Sequence, residues 1–316
     1  MNQKKHITFL FPGQGAQYIG MGHDFFREFP VARRVFEEAD DLLKRKLTDI
    51  IFNGAEAELT ETKNSQPAIF VTSIAMLRVL EDLFKGLVPM ACAGLSLGEY
   101  TALTASGKLS FKECAPLVQA RGQFMHEACE AIRGAMSVIL GLEDSQVESI
   151  VEELNMPNDL WCANFNCPGQ VVISGTIKGV ETGTKALLEK GAKKAIPLQV
   201  HGAFHSGLMK SAQEKLTPYL KEAAIQKSAI KLVTNVTGDF AENPDDIKAL
   251  LIRQVTSPVR WQKGIRALDS AGCELFVEIG CGKTLAAMNK RIGVKAPTIN
   301  IEKVEDLKTL EQEIAK

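Results

Sequence analysis

The stretch 87–103, LVPMACAGLSLGEYTAL, contains an apolar run, then Gly94-Leu95-Ser96-Leu97-Gly98, then a helix-like segment. The apolar run predicts a buried strand, and residues 99–103 predict the start of a helix. Glycines two residues on either side of Ser96 let the backbone turn sharply between these elements. A serine on such a turn is exposed beside backbone N–H groups and the positive end of a helix. The stretch therefore predicts an α/β fold with Ser96 as a candidate nucleophile, and the alternative is an ordinary serine in a glycine turn.

Strands and helices are predicted to alternate on both sides of this turn. A helix is expected to open at Ser65-Gln66-Pro67, which resembles a cap signal. Alternation of this kind predicts a mainly parallel sheet with functional residues at the carboxyl ends of its strands. The predicted elements are strands at 7–11, 88–93, 231–234 and 274–279 and helices at 24–46 and 65–83.

Residues 129–200 have a different rhythm and predict a self-contained unit. The order of its elements is βαββαβ, which is that of a ferredoxin-like fold. We therefore expect a discontinuous α/β catalytic domain, residues 1–128 and 201–316, with a ferredoxin-like subdomain inserted at 129–200. The predicted elements of the insert are strands at 136–142, 160–165, 170–174 and 195–200 and helices at 145–154 and 180–189.

Composition excludes several classes of function. The chain has 316 residues, 45% of them hydrophobic, which is enough for a large core, and its formal net charge of −1 leaves no basic excess for nucleic acid. No apolar run approaches the roughly 18 residues of a membrane span, and the first residues lack a signal-peptide pattern. Seven cysteines without a C-x-x-C pair suit reduced thiols and make a metal site improbable. We expect a cytoplasmic monomer that does not bind membranes or nucleic acid.

Two glycine motifs resemble nucleotide-binding loops but are incomplete. Gly13-Gln14-Gly15 lacks the third glycine of a dinucleotide motif, because Tyr18 stands in its place. Gly282-Lys283-Thr284 resembles the end of a phosphate loop, but Val277 occupies the position of the first glycine. Neither motif implies a nucleotide, and no cofactor is expected.

A serine nucleophile needs a base, and His205 is the strongest candidate among the five histidines. It follows a predicted strand in the loop Gly202-Ala203-Phe204-His205-Ser206, whereas His126 lies on a long predicted helix, where a surface or packing role is the default. The spacing alone also allows a capping or loop histidine at position 205.

Arg121 interrupts an apolar stripe on the helix predicted from Phe111. A guanidinium on a buried face requires an anionic partner. That partner is either an internal carboxylate or the carboxylate of a substrate, and a third possibility is an arginine that reaches solvent. The apolar or small residues of the stripe are at positions 111, 114, 115, 118, 125, 128, 129 and 132.

The chain resembles the malonyl-CoA:acyl-carrier-protein transacylases of fatty-acid synthesis over nearly its whole length. The resemblance is carried by ordered blocks of residues, which together are far more specific than any one of them. The blocks are Phe11-Pro12-Gly13-Gln14-Gly15-Ala16-Gln17, Ser65-Gln66-Pro67-Ala68, Gly94-Leu95-Ser96-Leu97-Gly98-Glu99-Tyr100, Arg121-Gly122-Gln123-Phe124-Met125, Asn164-Phe165-Asn166 through Ile173, Gly202-Ala203-Phe204-His205-Ser206, Asn235-Val236-Thr237-Gly238, and Gln254 through Trp261.

The resemblance implies a malonyltransferase that works by a ping-pong mechanism with malonyl-CoA and a holo acyl carrier protein. It also implies an α/β hydrolase-like core with a ferredoxin-like insert. Ser96 matches the family's nucleophile, His205 its base, and Arg121 the residue that pairs with the malonyl carboxylate. The remaining implied roles are the orientation of the histidine by Gln254, an oxyanion hole made by the backbone N–H groups of Gln14 and Leu97, and an acyl pocket lined by Met125, Asn166 and Phe204.

One position departs from the family pattern. The family commonly has a histidine immediately before the nucleophile, whereas this chain has Leu95. The family's general base is a different histidine, so the chemistry is expected to survive, but a hydrogen bond under the turn is put in doubt. His201 is assigned no catalytic role.

Two other functions are weighed against transfer. A serine esterase or thioesterase predicts the order Ser, Asp, His, and only Asp144 and Asp159 lie between Ser96 and His205. A catalytically silent carrier-binding module would not require intact Ser96, Arg121 and His205. Both alternatives are weaker than acyl transfer.

Overall fold

The computed structural model describes residues 5–200 and 202–316. In these residues ten strands form two sheets. The strands are β1 Ile7–Phe11, β2 Ala91–Gly94, β3 Gly134–Leu140, β4 Leu160–Cys167, β5 Gln170–Thr176, β6 Lys194–Pro197, β7 Lys231–Thr234, β8 Asp239–Ala241, β9 Leu275–Ile279 and β10 Thr298–Ile301.

Fourteen α-helices and two one-turn 3₁₀ helices complete the elements of the described chain. The α-helices are α1 His23–Glu28, α2 Pro30–Leu43, α3 Leu47–Asn53, α4 Glu56–Thr60, α5 Thr62–Leu83, α6 Gly98–Ala105, α7 Phe111–Ala131, α8 Asp144–Glu153, α9 Ile177–Glu189, α10 Lys210–Glu222, α11 Pro244–Gln254, α12 Trp261–Ser270, α13 Thr284–Ile292 and α14 Leu307–Ala315. The 3₁₀ helices are Gly207–Met209 and Val304–Asp306.

The large sheet has the strand order β10-β9-β1-β2-β7-β8. All its neighbours are parallel except β7 and β8, which are antiparallel. Every residue of β1, β2 and β9 is buried, as is typical of parallel strands covered by helices on both faces. The predicted α/β fold with a mainly parallel sheet is confirmed. The loops after β1 and β2 emerge side by side at the carboxyl edge of this sheet.

The second sheet has the order β4-β5-β3-β6, and all its pairs are antiparallel. Its strands are separated along the chain by α8 and α9, which contribute Val147, Val180 and Leu187 to a core of its own. Sequence placed the elements in the right order, although the first and last strands begin and end up to three residues earlier than predicted.

The outer edge of β4 pairs with the segment between α11 and α12. Phe165 donates its N–H to the carbonyl of Val259 at 2.9 Å, and Val259 donates to the carbonyl of Ala163 at 2.9 Å. This short parallel ladder fixes the segment that follows α11, and that segment begins directly after Gln254. The position of the second sheet is therefore linked to a residue of the site described below.

Two predicted helix boundaries are wrong. The helix expected to open at Ser65-Gln66-Pro67 begins at Thr62, because Asn64 and Ser65 both donate their N–H groups to the carbonyl of Glu61 at 2.8 Å. Pro67 then lies inside α5, where its missing N–H leaves the helix one hydrogen bond short. The helix expected over 24–46 is two helices, since the chain is extended at Phe29 before Pro30 starts α2.

The phosphate-loop-like segment before α13 is occupied by a protein carboxylate. Glu278, buried on β9, accepts hydrogen bonds from the N–H groups of Leu285 at 3.0 Å and Ala286 at 2.8 Å. The donors that a phosphate loop would offer are therefore used inside the fold. The prediction that this motif does not bind nucleotide is therefore supported by the engaged N–H groups of Leu285 and Ala286 as well as by the missing glycine.

In the part of the chain that the structure describes, no helix combines the length and apolarity needed to cross a membrane. The same residues contain no group of three or more His, Cys, Asp or Glu side chains that could hold a metal ion. All seven cysteines are free.

Candidate active site

Ser96 lies on the turn between β2 and α6, with a left-handed backbone at φ 52°. Its N–H donates to the Oδ1 of Asn235 at 2.7 Å, and Asn235 Nδ2 donates to the carbonyl of Gly94 at 2.8 Å, so one amide side chain holds both ends of the turn. A Cβ at Gly94 would overlap the backbone of Gly98, and one at Gly98 would overlap the carbonyl of Phe11. Both glycines are therefore required by the close approach of the strand, the turn and the helix. The turn predicted from sequence has the expected form.

His205 lies next to Ser96, with its Nε2 2.8 Å from the serine Oγ. Its Nδ1 is 2.9 Å from the backbone carbonyl of Gln254. A carbonyl can only accept, so Nδ1 carries the proton and Nε2 offers its lone pair to the serine hydroxyl. Among the described residues, no carboxylate contacts this ring. Asp159, one candidate for an esterase triad, instead accepts a hydrogen bond from Thr176.

The environment of His205 keeps the imidazole neutral. Burial lowers its pKa to about 4, with a further contribution from the positive charge of Arg121. Hydrogen bonds to the backbone at Gln254 and Ser257 act in the opposite direction but are weaker. At neutral pH the ring is therefore unprotonated at Nε2, which is the state a general base requires.

Arg121 is buried, with 1% of its surface exposed. Its Nη1 donates to Gln66 Oε1 at 2.5 Å, and its Nη2 donates to Ser96 Oγ at 3.1 Å. The guanidinium lies over the ring of Tyr100, 5.3 Å from the ring centroid. Within residues 5–200 and 202–316, no carboxylate comes within salt-bridge distance of it, and its Nε has no hydrogen-bond acceptor. The internal salt bridge and the solvent-exposed arginine are thereby both excluded as explanations of its place in the apolar stripe.

Close packing of α5 against α7 brings Gln66 to Arg121. A Cβ at Gly122 would lie 2.9 Å from the carbonyl of Thr62, so only glycine lets the helices approach this closely. A capping box fixes the start of α7, in which Ser110 accepts from the N–H of Glu113 and donates its own N–H to the Glu113 side chain.

Gln254, the last residue of α11, links the whole group. Its Oε1 accepts from Arg121 Nη2 at 2.9 Å, and its Nε2 donates to the Ser96 carbonyl at 2.9 Å and to Glu99 Oε2 at 2.7 Å. Its backbone carbonyl accepts from His205. The structure therefore brings together four of the residues predicted from sequence, Ser96, His205, Arg121 and Gln254.

Gln14 and Leu97 lie on the two loops that meet at the carboxyl edge of the large sheet. A Cβ at Gly13 would overlap the carbonyl of Leu95, so the loop after β1 lies directly against the serine turn. In the described chain, no protein group accepts a hydrogen bond from the N–H of Gln14 or of Leu97. Neither donor is thus used by the described protein, which is one requirement of an oxyanion hole.

The three predicted pocket residues differ in their relation to the site. Met125 is buried, and its Sδ accepts from Gln66 Nε2 at 3.4 Å, one side chain away from Arg121. Phe204 is buried and directly precedes His205. Asn166 is buried on β4 with no partner for its Oδ1, and no hydrogen bond joins it to the other site residues in the described chain.

Leu95 packs its side chain against an apolar cluster beneath the serine turn, which includes Leu10, Ala93 and Val233. Its N–H donates to the carbonyl of Phe11 at 3.0 Å. Apolar contact thus replaces any hydrogen bond that a polar side chain could make at this position. His201 lies outside the described residues.

Gln66, Glu99 and Asn235 belong to the hydrogen-bond network but were assigned no role from sequence. All three stand inside the blocks that carry the family resemblance. The signal that could have found them is the presence of an amide or carboxylate in a segment predicted to be buried, because such a group needs a partner.

Comparisons with known proteins agree with this geometry. The family model described as Acyl transferase domain matches residues 8–309. Malonyl CoA-acyl carrier protein transacylase of Bacillus subtilis (strain 168) is 45% identical over 302 residues, covering 95% of each chain. The crystal structure of acyl-carrier-protein-S-malonyltransferase from Bartonella henselae has a TM-score of 0.93 and 38% identity, and the match covers 98% of this chain and 99% of that one.

A further solved structure is that of the malonyl-transacylase PlMCAT in complex with AntF (holo), a type II PKS acyl-carrier protein. It has a TM-score of 0.93 and 35% identity, with 98% of this chain and 100% of that chain covered. The resemblance noted in the sequence is confirmed. The chain belongs to the acyl transferase domain family and, within it, to the malonyl CoA-acyl carrier protein transacylases.

Proposed function

We propose that this protein transfers a malonyl group from malonyl-CoA to the phosphopantetheine thiol of acyl carrier protein, through a malonyl-Ser96 intermediate, for fatty-acid chain elongation. Support comes from the names of its relatives and from the neighbour solved with a holo carrier protein. The observation that carries the proposal is Arg121, a buried guanidinium with no carboxylate partner, 3.1 Å from the nucleophile.

Arg121 accounts for the choice of acyl group. A buried cation that no protein carboxylate contacts directly favours a substrate that brings its own carboxylate, and a guanidinium can bind it with two parallel hydrogen bonds. An acetyl group would leave that cation unmatched. Sites built for a polar group discriminate by about 10⁴-fold or more against analogues that lack it, so malonyl should be strongly preferred to acetyl.

In the first half-reaction, His205 takes the proton of Ser96 while the serine oxygen attacks the malonyl thioester carbonyl. The N–H groups of Gln14 and Leu97 stabilise the resulting oxyanion, and one such donor is worth roughly 2.7–4 kcal/mol. The tetrahedral intermediate collapses with cleavage of the C–S bond. Coenzyme A leaves as a thiol, protonated by His205.

In the second half-reaction, the phosphopantetheine thiol of the carrier enters the same site. His205 removes its proton as the sulfur attacks the malonyl-serine ester. The C–O bond to Ser96 breaks, and His205 returns the proton to the serine oxygen. Gln254 acts in both steps by holding the protonated Nδ1 of His205 with its carbonyl, the role that an aspartate has in serine-protease triads.

Met125, Asn166 and Phe204 are proposed to line the acyl pocket. The bulk of Phe204 next to the base favours malonyl over a branched methylmalonyl group. The buried, unpartnered Oδ1 of Asn166 is the support for its part in this pocket, because such an atom is available to a ligand.

We also propose that residues 129–200 form a ferredoxin-like subdomain inserted into a hydrolase-like core made of residues 1–128 and 201–316. The order β4-β5-β3-β6 and the separate core of this sheet support the idea. Helix α7 continues to Ala131, so we move the first boundary from 128/129 to the residues between α7 and β3. A cytoplasmic location and a monomeric state stay predictions.

The experiment that tests the proposed function is transfer to a purified holo carrier protein. Malonyl-CoA, enzyme and carrier are mixed, and the intact mass of the carrier is followed. We expect malonyl-carrier to accumulate with holo carrier and not with the apo form, which lacks the thiol. Release of free malonate without carrier labelling would instead identify a thioesterase.

A further inference from the structure

Glu99 is a buried carboxylate that the transfer mechanism does not use. It lies in the first turn of α6 with none of its surface exposed. Its Oε2 accepts from Gln254 Nε2 at 2.7 Å and from the N–H of Asn235 at 3.1 Å. Its Oε1 is buried and has no hydrogen-bond partner among the described residues. Only one of the two oxygens of this carboxylate is therefore hydrogen-bonded, and both of its donors are neutral groups.

The nearest positive charge is that of Arg121, which Glu99 reaches only through the side-chain amide of Gln254. That amide accepts from Arg121 at Oε1 and donates to Glu99 from Nε2, so the three groups form a line of cation, amide and carboxylate. The other ionisable groups nearby are Tyr100 on the same helix and His205, which contacts the Gln254 carbonyl. Both are neutral at neutral pH, because burial raises the pKa of Tyr100 and lowers that of His205. The groups that face Glu99 from α11 and from the loop after β7 are the neutral amide of Gln254 and the backbone of Asn235.

In the empty site, Glu99 in its ionised form partly offsets the charge of Arg121 across the side-chain amide of Gln254. Arg121 stays cationic at any ordinary pH. A malonyl group bound to Arg121 adds a second negative charge close to this buried line of groups. Two carboxylates that share one buried cation do not both stay ionised, because the like charges repel and burial penalises the excess charge.

We propose that Glu99 takes up one proton when the malonyl carboxylate binds to Arg121, and releases it when the malonyl group leaves on the carrier thiol. The inference rests on the proposed function. The proton comes from the solvent and adds to a carboxylate oxygen of Glu99, and no other bond is made or broken. Glu99 does not contact the substrate and acts on it only through its electrostatic effect on Arg121. It is therefore a positioning residue and not a catalytic residue.

The number of protons taken up depends on the pKa of Glu99 in the empty site. Burial raises the pKa of Glu99 in the empty site to about 7, against the weaker opposing effects of its two hydrogen bonds and of Arg121. One added negative charge at about 8 Å raises it by about 1.5 at an effective dielectric constant of about 20. At pH 8 the protonated fraction then rises from about one tenth to about three quarters, an uptake of about 0.7 proton per site. The affinity for malonyl-CoA should fall about tenfold between pH 7 and pH 9.

The test uses the Ser96→Ala protein, which can bind malonyl-CoA without reacting. Binding is measured at pH 8 by isothermal titration calorimetry in phosphate and in Tris, buffers that differ in ionisation enthalpy, and the difference in heat gives the protons taken up. The matched variant is Ser96→Ala with Glu99→Gln, whose amide oxygen can still accept from Gln254 and Asn235 but cannot titrate. Acetyl-CoA is the second control, because it carries the same coenzyme and no carboxylate.

We expect about 0.7 proton to be taken up when malonyl-CoA binds. With acetyl-CoA, or in the Glu99→Gln protein, we expect no uptake beyond the coenzyme's own contribution. Should Glu99→Gln fail to fold, the comparison of malonyl-CoA with acetyl-CoA decides alone. Malonyl-CoA that binds with no more proton uptake than acetyl-CoA overturns the role of Glu99 and leaves the proposed function intact. Malonyl-CoA that does not bind at all contradicts the proposed function.

Discussion

Replacement of Arg121 by methionine removes the positive charge to which we attribute the preference for malonyl over acetyl. Methionine keeps an unbranched side chain of similar length among Gln66, Tyr100 and Gln254, so the site should stay packed. What disappears is the only cation in direct contact with Ser96 Oγ among the described residues. The malonyl carboxylate would then be buried without a partner.

Removal of one member of a buried ion pair costs about 3–5 kcal/mol, which corresponds to a loss of about 10²- to 10⁴-fold. We therefore expect kcat/KM for acylation by malonyl-CoA to fall by that factor in Arg121→Met. Acylation by acetyl-CoA should not fall in parallel, because the acetyl group never used the charge. The preference for malonyl over acetyl should therefore shrink by about 10²- to 10⁴-fold.

The assay is the rate of Ser96 acylation, followed by intact mass after rapid mixing with each thioester in separate runs. Arg78→Met serves as the control, since the Arg78 side chain is only partly buried, pairs with Glu81 one turn away on α5 and lies outside the site network. It should leave both rates unchanged. An Arg121→Met protein that folds and still prefers malonyl as strongly as the native protein would refute the assignment of Arg121.

Three further predictions concern the base, the turn and the fold. Burial lowers the pKa of His205 to about 4, so the ring should stay neutral down to about pH 5. The rate at which a neutral organophosphorus reagent inactivates Ser96 should therefore be constant from pH 8 to pH 5 and fall only near pH 4, where the ring gains a proton. An inactivation rate that halves near pH 6.5 would contradict this. Gly98→Ala should destabilise the protein by about 1–3 kcal/mol in urea unfolding and abolish serine labelling, because its Cβ overlaps the Phe11 carbonyl; native stability and labelling would argue against the packing described. Glu278→Ala leaves the N–H groups at the start of α13 without their acceptor and should lower the free energy of unfolding by about 2–4 kcal/mol, with activity kept in the folded fraction; an unchanged free energy of unfolding would show that this cap is dispensable.

The parts of the site that sequence predicted are those set by local rules. Glycines at 94 and 98 indicate a sharp turn because only they fit the close backbone approach, and this is a property of a few adjacent residues. Arg121 falls in an apolar stripe with helical spacing, so periodicity predicts its place on the buried face, although an arginine that reaches solvent fits the same pattern. The parallel sheet follows from the alternation of strands and helices.

The network that joins these residues depends on contacts between distant parts of the chain. Asn235 lies 139 residues from Ser96, whose N–H it holds, and Gln254 lies 155 residues from Glu99. No period or motif specifies which rotamer a buried amide adopts, or which donor it meets, because these follow from the packed positions of several helices. Pro67 is a local signal for the start of a helix, and here tertiary packing overrides it. Helix α5 begins before Pro67 and includes Gln66, whose side chain accepts a hydrogen bond from Arg121.

In the proposed mechanism, Ser96 carries the malonyl group covalently after it leaves the thiol of coenzyme A and before it reaches the thiol of the carrier protein. The most direct test is peptide mapping by mass spectrometry of the protein after exposure to malonyl-CoA, followed by a chase with holo carrier protein. The account predicts one malonyl group on the peptide that contains Ser96, lost during the chase as malonyl-carrier appears, and no adduct in Ser96→Ala. A malonyl group found on another residue, or a Ser96→Ala protein that still becomes labelled and transfers the label, would contradict it.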